Sequence, residues 1–127
     1  MIERKSGHVV NVSSVAGLQA YKGGSVYCAT KHAVQAITNS LRKEVVDKNI
    51  RVTSICPGLV ETEFSVVRFS GDQNRADSVY KGLEPLLAED IADNILYSTS
   101  RPPHVQIAEM LVYPTAQASA EQVHRTQ

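Results

Sequence analysis

The chain has 127 residues, enough for one domain, and its 43% hydrophobic content suits a globular protein with a real core. Formal net charge is zero, which removes any electrostatic reason to expect nucleic acid or an anionic membrane as a partner. No apolar run approaches the ~20 residues that span a bilayer, and MIERKSGHVV carries charges without the apolar stretch of a secretory signal.

Gly7 is followed by HVVNVSS, a β-branched run ending in small polar residues, which predicts a buried strand from His8 to Val12 or Ser13. VAGLQAYKGG reads as a loop with Gly17, Gly23 and Gly24. From Ser25 to about Asp47 the pattern turns helical: Ala29, Ala33, Ala36, Ile37, Ser40, Leu41 and Val45 recur at spacings of three and four. Ser25 is placed to cap its start and Asn49 to close it. IRVTSICPG is a second strand, stopped by Pro57-Gly58. Strand, loop, helix and strand make one βαβ unit with parallel strands and a right-handed crossover.

Residues 59–82 read as a loop and one irregular helix holding Phe64, Val67, Phe69 and Tyr80, broken at Glu84-Pro85. Ala88 to Ser100 predicts a further helix with Ile91, Ile95 and Leu96 on one face, ended by Arg101-Pro102-Pro103. HVQIAEMLVYP predicts a third strand, Val105 to Tyr113. The tail TAQASAEQVHRTQ is polar and is expected either to be loose or to dock on a partner. Cys28 and Cys56 lie far apart in apolar contexts and read as small buried hydrophobes of a reducing, cytoplasmic compartment.

Three strands make a thin sheet with two free edges, where a doubly wound fold has five or more. Met1 to Ser6 resembles the last turn of a helix. The expectation is the second half of something larger.

Tyr27 and Lys31 in SVYCATK are four residues apart and so share one helix face. Taken alone, they are equally well a surface pair. The context argues otherwise. Tyr27 lies 13 residues beyond Ser14, which ends the first strand. The carboxyl ends of parallel strands are where open α/β sheets bind ligands, and Pro57-Gly58 and Thr62 fall at the same edge. An ammonium one turn away is expected to favour the phenolate and lower the tyrosine pKa from its usual ~10. Tyr27 would then exchange a proton with an alcohol or carbonyl, with Ser14 hydrogen-bonding the same oxygen. No side chain can carry a hydride, so a redox cofactor must.

NVSSVAG, the Ser14-to-Tyr27 spacing, YCATK and ICPGLVET together resemble the short-chain dehydrogenase/reductase family, from Gly7 to about Pro114. The resemblance implies the C-terminal half of a Rossmann-type doubly wound α/β sheet, with helices on both faces, so that residues 1–127 form a partial NAD(P)-binding domain. It implies Ser14, Tyr27 and Lys31 as catalytic residues, with Tyr27 and Lys31 also on the nicotinamide ribose. Pro57, Gly58, Val60 and Thr62 would line the nicotinamide and its phosphate side. PGLVETEFSVVRFSGD, EPLLAEDIADNILYSTSRP and VYPTAQAS are similar to a narrower group, the NADP-dependent 3-hydroxy acid dehydrogenases of serine and allo-threonine. There Arg68 would grip the substrate carboxylate; its other reading is a structural surface arginine. The resemblance also implies a homo-oligomer, dimer or tetramer, built through the Ser25–Asp47 helix.

The family's glycine-rich turn, its NAD/NADP-selecting residues, its NNAG segment and its helix asparagine have no counterpart here. NADP is therefore favoured through the narrower group, with NAD still open. The isolated chain is expected to be a truncated, inactive form. The alternative is a non-catalytic fragment that co-assembles with full-length subunits. His32 is expected to point away from the crevice, and His8, His104 and His124 have no partner at metal spacing.

Overall fold

The computed structural model describes residues 1–126. Three parallel strands, β1 (Gly7–Val12), β2 (Ile50–Pro57) and β3 (Glu109–Val112), pair in the order β1-β2-β3. Gly7 to Val12 lie opposite Ile50 to Ile55, and Ser54 to Pro57 opposite Glu109 to Val112. Paired on both edges, β2 is the most buried element: Val52, Thr53, Ile55 and Cys56 are all fully enclosed. That is why its sequence is a continuous apolar and small-residue run with no clean alternation.

Side chains alternate across a sheet, and this assigns the helices. Asn11 and Ser54 point to α1 (Ser25–Glu44), bonding Thr38 and Gln35 respectively. Arg51, of the opposite parity, donates to the carbonyls of Thr99, Arg101 and Val105 at the end of α4 (Ala88–Thr99). The guanidinium satisfies carbonyls that the last helical turn leaves open. The two helices thus cover opposite faces, as expected. Since the strands advance in one direction across the sheet, the two crossovers must have opposite hand, so one departs from the usual right-handed rule.

The inner face of α1 corrects the sequence pattern. Val26 and Ile37 are exposed, together with Ala29, Ala33, Ala36 and Ser40. The buried positions are Cys28, Gln35 and Thr38, with Leu41 and Val45 packing on Ile50, Val52 and Val9. Two polar residues can face the sheet because each is satisfied there. Thr38 accepts from Asn11 at 2.9 Å and donates to the Val34 carbonyl at 2.7 Å. The Gln35 amide donates to Glu109 at 2.5 Å and accepts from the Ser54 hydroxyl. The cap position is Gly24, without a side-chain bond, so Ser25 is the first helical residue and not the cap. The helix stops at Glu44, and Asn49 takes a left-handed φ of 55° just before β2.

Between β2 and α4 there are two short helices where the pattern predicts one: α2 (Phe64–Arg68) and α3 (Gln73–Tyr80). Ser70 and Gly71, both at positive φ, separate them, and the Asp72 carboxylate caps α3 at 3.1 Å from the Arg75 N–H. In α4 the inward residues are Ile91 and Ser98, while Leu96 is 64% exposed. The third strand is four residues long, not nine. Upstream of it the ladder is made by side chains: the Val52 N–H goes to the Gln106 amide oxygen at 2.7 Å, and the Thr53 hydroxyl to the Ile107 carbonyl at 2.7 Å. Met1 to Ser6 form a turn, with Lys5 N–H on the Ile2 carbonyl. Cys28 and Cys56 are buried and free. No helix is long and apolar enough to cross a membrane, and no cluster of metal-ligating side chains exists among the described residues.

His8 makes the fold sensitive to acid. The Thr53 hydroxyl has one proton, already given to Ile107, so at 2.7 Å His8 Nε2 must be the donor to it. Nδ1 is then left buried without a partner. Burial first, and the Arg51 guanidinium second, hold the His8 pKa below its ordinary value. The unfolded chain therefore takes up the proton more readily than the folded one. The contribution of His8 to stability is expected to be complete above about pH 6.5 and to fall as the pH drops below it. Urea midpoints at about pH 7.5 and about pH 5.5 should show that loss, and His8→Gln should flatten it. An equal loss in the variant would assign the acid sensitivity elsewhere.

Candidate active site

The parallel register sets the ends of β1 and β2 side by side. The Ser13 N–H extends the ladder by one bond, to the Ile55 carbonyl at 2.7 Å. The chain then turns through a single 3₁₀ turn, Val15–Gly17, which Ser14 caps: its Oγ accepts the Ala16 N–H at 3.1 Å. The Ser14 hydroxyl lies 3.5 Å from the Pro57 carbonyl at the end of β2. Gly17 lets this turn lie directly on α1. A Cβ there would stand 2.6 Å from Ser13 Oγ and 2.7 Å from the Lys31 carbonyl oxygen. The close approach brings Ser14 and Tyr27 to the same cavity.

Ser14 and Tyr27 face a cavity of about 290 Å³. Its walls include Tyr21, Phe64, Arg68 and Tyr80, the backbone from Pro57 to Val60, and Thr62. The Tyr27 ring packs against Phe64, with centroids 5.6 Å apart and planes tilted by 46°. The Arg68 guanidinium lies 5.7 Å from the Tyr21 ring centroid and 5.8 Å from that of Tyr27, within cation–π range. The Tyr80 hydroxyl donates to the Val60 carbonyl at 2.8 Å and so accepts from Ser65 at 2.7 Å, which pins α2 to α3 and to the loop after β2. Among the described residues lining the cavity, Arg68 is the one charged side chain.

The electrostatics of Tyr27 differ from the expectation. Burial raises its pKa above the usual tyrosine value; the Ser14 hydrogen bond opposes that, Tyr21 adds to it, and Arg68 lowers it. The Lys31 ammonium is not among the groups that move it. Lys31 is four residues along on the same face; its Nζ donates to the Val12 carbonyl at 3.3 Å and stands 5.8 Å from the Tyr27 ring centroid, as far as the Arg68 guanidinium. Spacing on a helix fixes where a long side chain starts, not where its end goes.

The structure thus gathers Ser14, Tyr27, Pro57, Gly58, Val60, Thr62 and Arg68 around one cavity, with Lys31 behind Tyr27 at the end of β1. Residues 1–73 match the profile of the short chain dehydrogenase family. The chain belongs to that family. Curated relatives include the NADP-dependent 3-hydroxy acid dehydrogenase of Schizosaccharomyces pombe, 52% identical over 98% of this chain and 48% of that protein. The serine 3-dehydrogenase of Rhizobium radiobacter is 44% identical over 98% of this chain and 50% of that one. Among solved structures, the closed form of serine dehydrogenase complexed with NADP+ superposes with a TM-score of 0.92 at 41% identity, over 99% of this chain and 52% of that chain. The chain spans about half the length of the curated relatives it matches. The three-stranded sheet with helices on both faces is accordingly part of the Rossmann architecture of short-chain dehydrogenases.

Several residues of the cavity wall are not singled out as such by the sequence. Ser65 and Tyr80 are recognisable only as a pair, across fifteen positions. Gln117 and Ala120 come from the tail, which packs on its own chain. Nothing in TAQASAEQVHRTQ marks them.

Proposed function

We propose that this chain carries the proton-handling and substrate-gripping residues of an NADP-dependent dehydrogenase of 3-hydroxy acids such as serine or allo-threonine. One observation supports it above the rest: a phenol, a hydroxyl and a guanidinium share a cavity in which no carboxylate competes for the cation. Ser14 orients the substrate hydroxyl by a hydrogen bond. Tyr27 exchanges its proton with that oxygen, and Arg68 holds the carboxylate through paired charge-assisted bonds. The residues fit the nicotinamide end of the cofactor: Tyr27, Pro57, Gly58, Val60 and Thr62 line the cavity, and Lys31 lies beside it for the ribose hydroxyls. NADP, when bound, accepts or supplies the hydride. A cavity of about 290 Å³ holds a small acid or a nicotinamide ring, not a dinucleotide, so weak cofactor affinity and weak activity are expected of this chain alone.

The test is NADP-dependent oxidation of serine by the purified chain at millimolar NADP, with Arg68→Ala beside it. Loss of the guanidinium should raise KM for serine about 10- to 100-fold, the range for a charge-assisted hydrogen bond, with a smaller change in kcat. A simple secondary alcohol, lacking the carboxylate, should show no change in KM. Equal losses for both would remove Arg68 from substrate binding.

A second reading is favoured by the outer face of α1. Val26, Ala29, Ala33, Ala36, Ile37 and Ser40 expose small and apolar surface along the helix. Such a stripe suits pairing with a copy of itself in a neighbouring subunit. The chain would then be a non-catalytic fragment that joins full-length dehydrogenase subunits. Mixed assembly without turnover supports this reading, and turnover by the chain alone excludes it.

A further inference from the structure

The C-terminal segment crosses the cavity as a strap. At one end the Gln19 amide oxygen accepts the Ala120 N–H at 2.9 Å and Glu121 accepts the Lys22 N–H at 3.2 Å, tying the strap to the loop before α1. At the other end the Arg125 guanidinium donates to the carbonyls of Lys81 and Val79, and the Thr126 N–H to that of Gly82, just after α3. The strap therefore spans the two segments that flank the cavity.

Gln117 fastens the start of the strap, ahead of both anchors. It is 6% exposed, and both ends of its amide are used. Its Oε1 accepts the Leu59 N–H at 2.8 Å, and its Nε2 donates to the Ser119 carbonyl at 3.0 Å. The site is built around it: a Cβ on Gly58 would collide with that same Oε1. The turn so held, Pro57-Gly58-Leu59, also receives the Ser14 hydroxyl on the Pro57 carbonyl and forms part of the cavity wall.

We propose that Gln117 is a positioning residue: it locks the C-terminal strap onto the Pro57-Gly58-Leu59 turn and thereby fixes one wall of the cavity, which limits the size of the acid admitted. The limit on substrate size rests on the function proposed above; the lock does not. Leucine at 117 fills similar volume but can neither accept from Leu59 nor donate to Ser119. Glutamate keeps an acceptor for Leu59 but puts a second acceptor, charged when ionised, where the donor to Ser119 stood.

Amide hydrogen exchange on the full chain reads the lock without any need for activity. In Gln117→Leu the Leu59 amide should exchange about fivefold faster, the equivalent of one net hydrogen bond. The Val52 amide in the core strand should not change, which excludes general unfolding. Gln117→Glu should keep Leu59 protected. On the same samples, Gln117→Leu should narrow the kcat/KM preference for serine over a longer 3-hydroxy acid, and Gln117→Glu should restore it. Unchanged Leu59 exchange in Gln117→Leu overturns the proposal, as does faster exchange with an unaltered preference. If the wild-type chain oxidises no hydroxy acid, the dehydrogenase reading fails by itself, and Leu59 exchange still decides whether Gln117 is the lock.

Discussion

Tyr27→Phe should reduce serine oxidation about 10³-fold, in the range lost when a positioned acid–base is removed, while the chain stays folded. Phenylalanine keeps the ring that packs on Phe64 and removes only the hydroxyl. The pH dependence follows from the sign of the shift. Burial holds the Tyr27 phenol protonated beyond the usual tyrosine range, so near neutrality the proton donor for carbonyl reduction is in place and the base for alcohol oxidation is scarce. Oxidation should therefore climb with pH through the neutral and alkaline range, and reduction should be flat there. Arg68 is the cation that opposes the shift; in Arg68→Ala the oxidation limb should move further alkaline, a readout separate from its effect on KM. Rate–pH profiles of the three proteins check both statements. Turnover by Tyr27→Phe within about threefold of wild type would exclude a proton-transfer role.

The same residues show what a linear sequence can and cannot reveal. Ser14, Tyr27 and the Pro57-Gly58 turn were readable because each sits at the end of a regular element, and parallel pairing forces those ends to one edge. Lys31 was readable as a position on the Tyr27 face, but its bond to the Val12 carbonyl was not, since spacing does not fix where a flexible stem ends. Helix α1 was located correctly, but of the residues that mark its period only Leu41 and Val45 pack inward. Apolar periodicity assumes that the buried stripe is apolar, whereas Gln35 and Thr38 are buried against polar groups on β1, β2 and β3. Those partners lie 19 to 74 positions away and leave no local trace. Gln117 is the extreme case. Its value to the site comes from one amide hydrogen bond to a residue 58 positions earlier, and in the tail it is one polar residue among many.

The larger stability effect should come from β2, beneath this edge. Ile55 has no exposed surface, lies opposite Val12 on one side and Met110 on the other, and its carbonyl holds the Ser13 N–H. Ile55→Ala should cost about 3 kcal/mol, the lost transfer energy plus the cavity that a central strand cannot collapse to fill. Leu96→Ala provides the contrast. Sequence periodicity placed Leu96 on one face with Ile91 and Ile95, yet it is 64% exposed, so its truncation should change stability by about 0.5 kcal/mol or less. Urea unfolding of both variants, compared at equal slope, reads the two values. A large loss at Leu96 would mean that α4 is rotated relative to the sheet or that its outer face is covered in solution. A small loss at Ile55 would mean that β2 is not the centre of the core. Because Ile55 carries the bond that sets Ser13, and Ser13 leads directly into Ser14, the Ile55→Ala variant should also lose activity under conditions where it is still folded. Leu96→Ala should keep it.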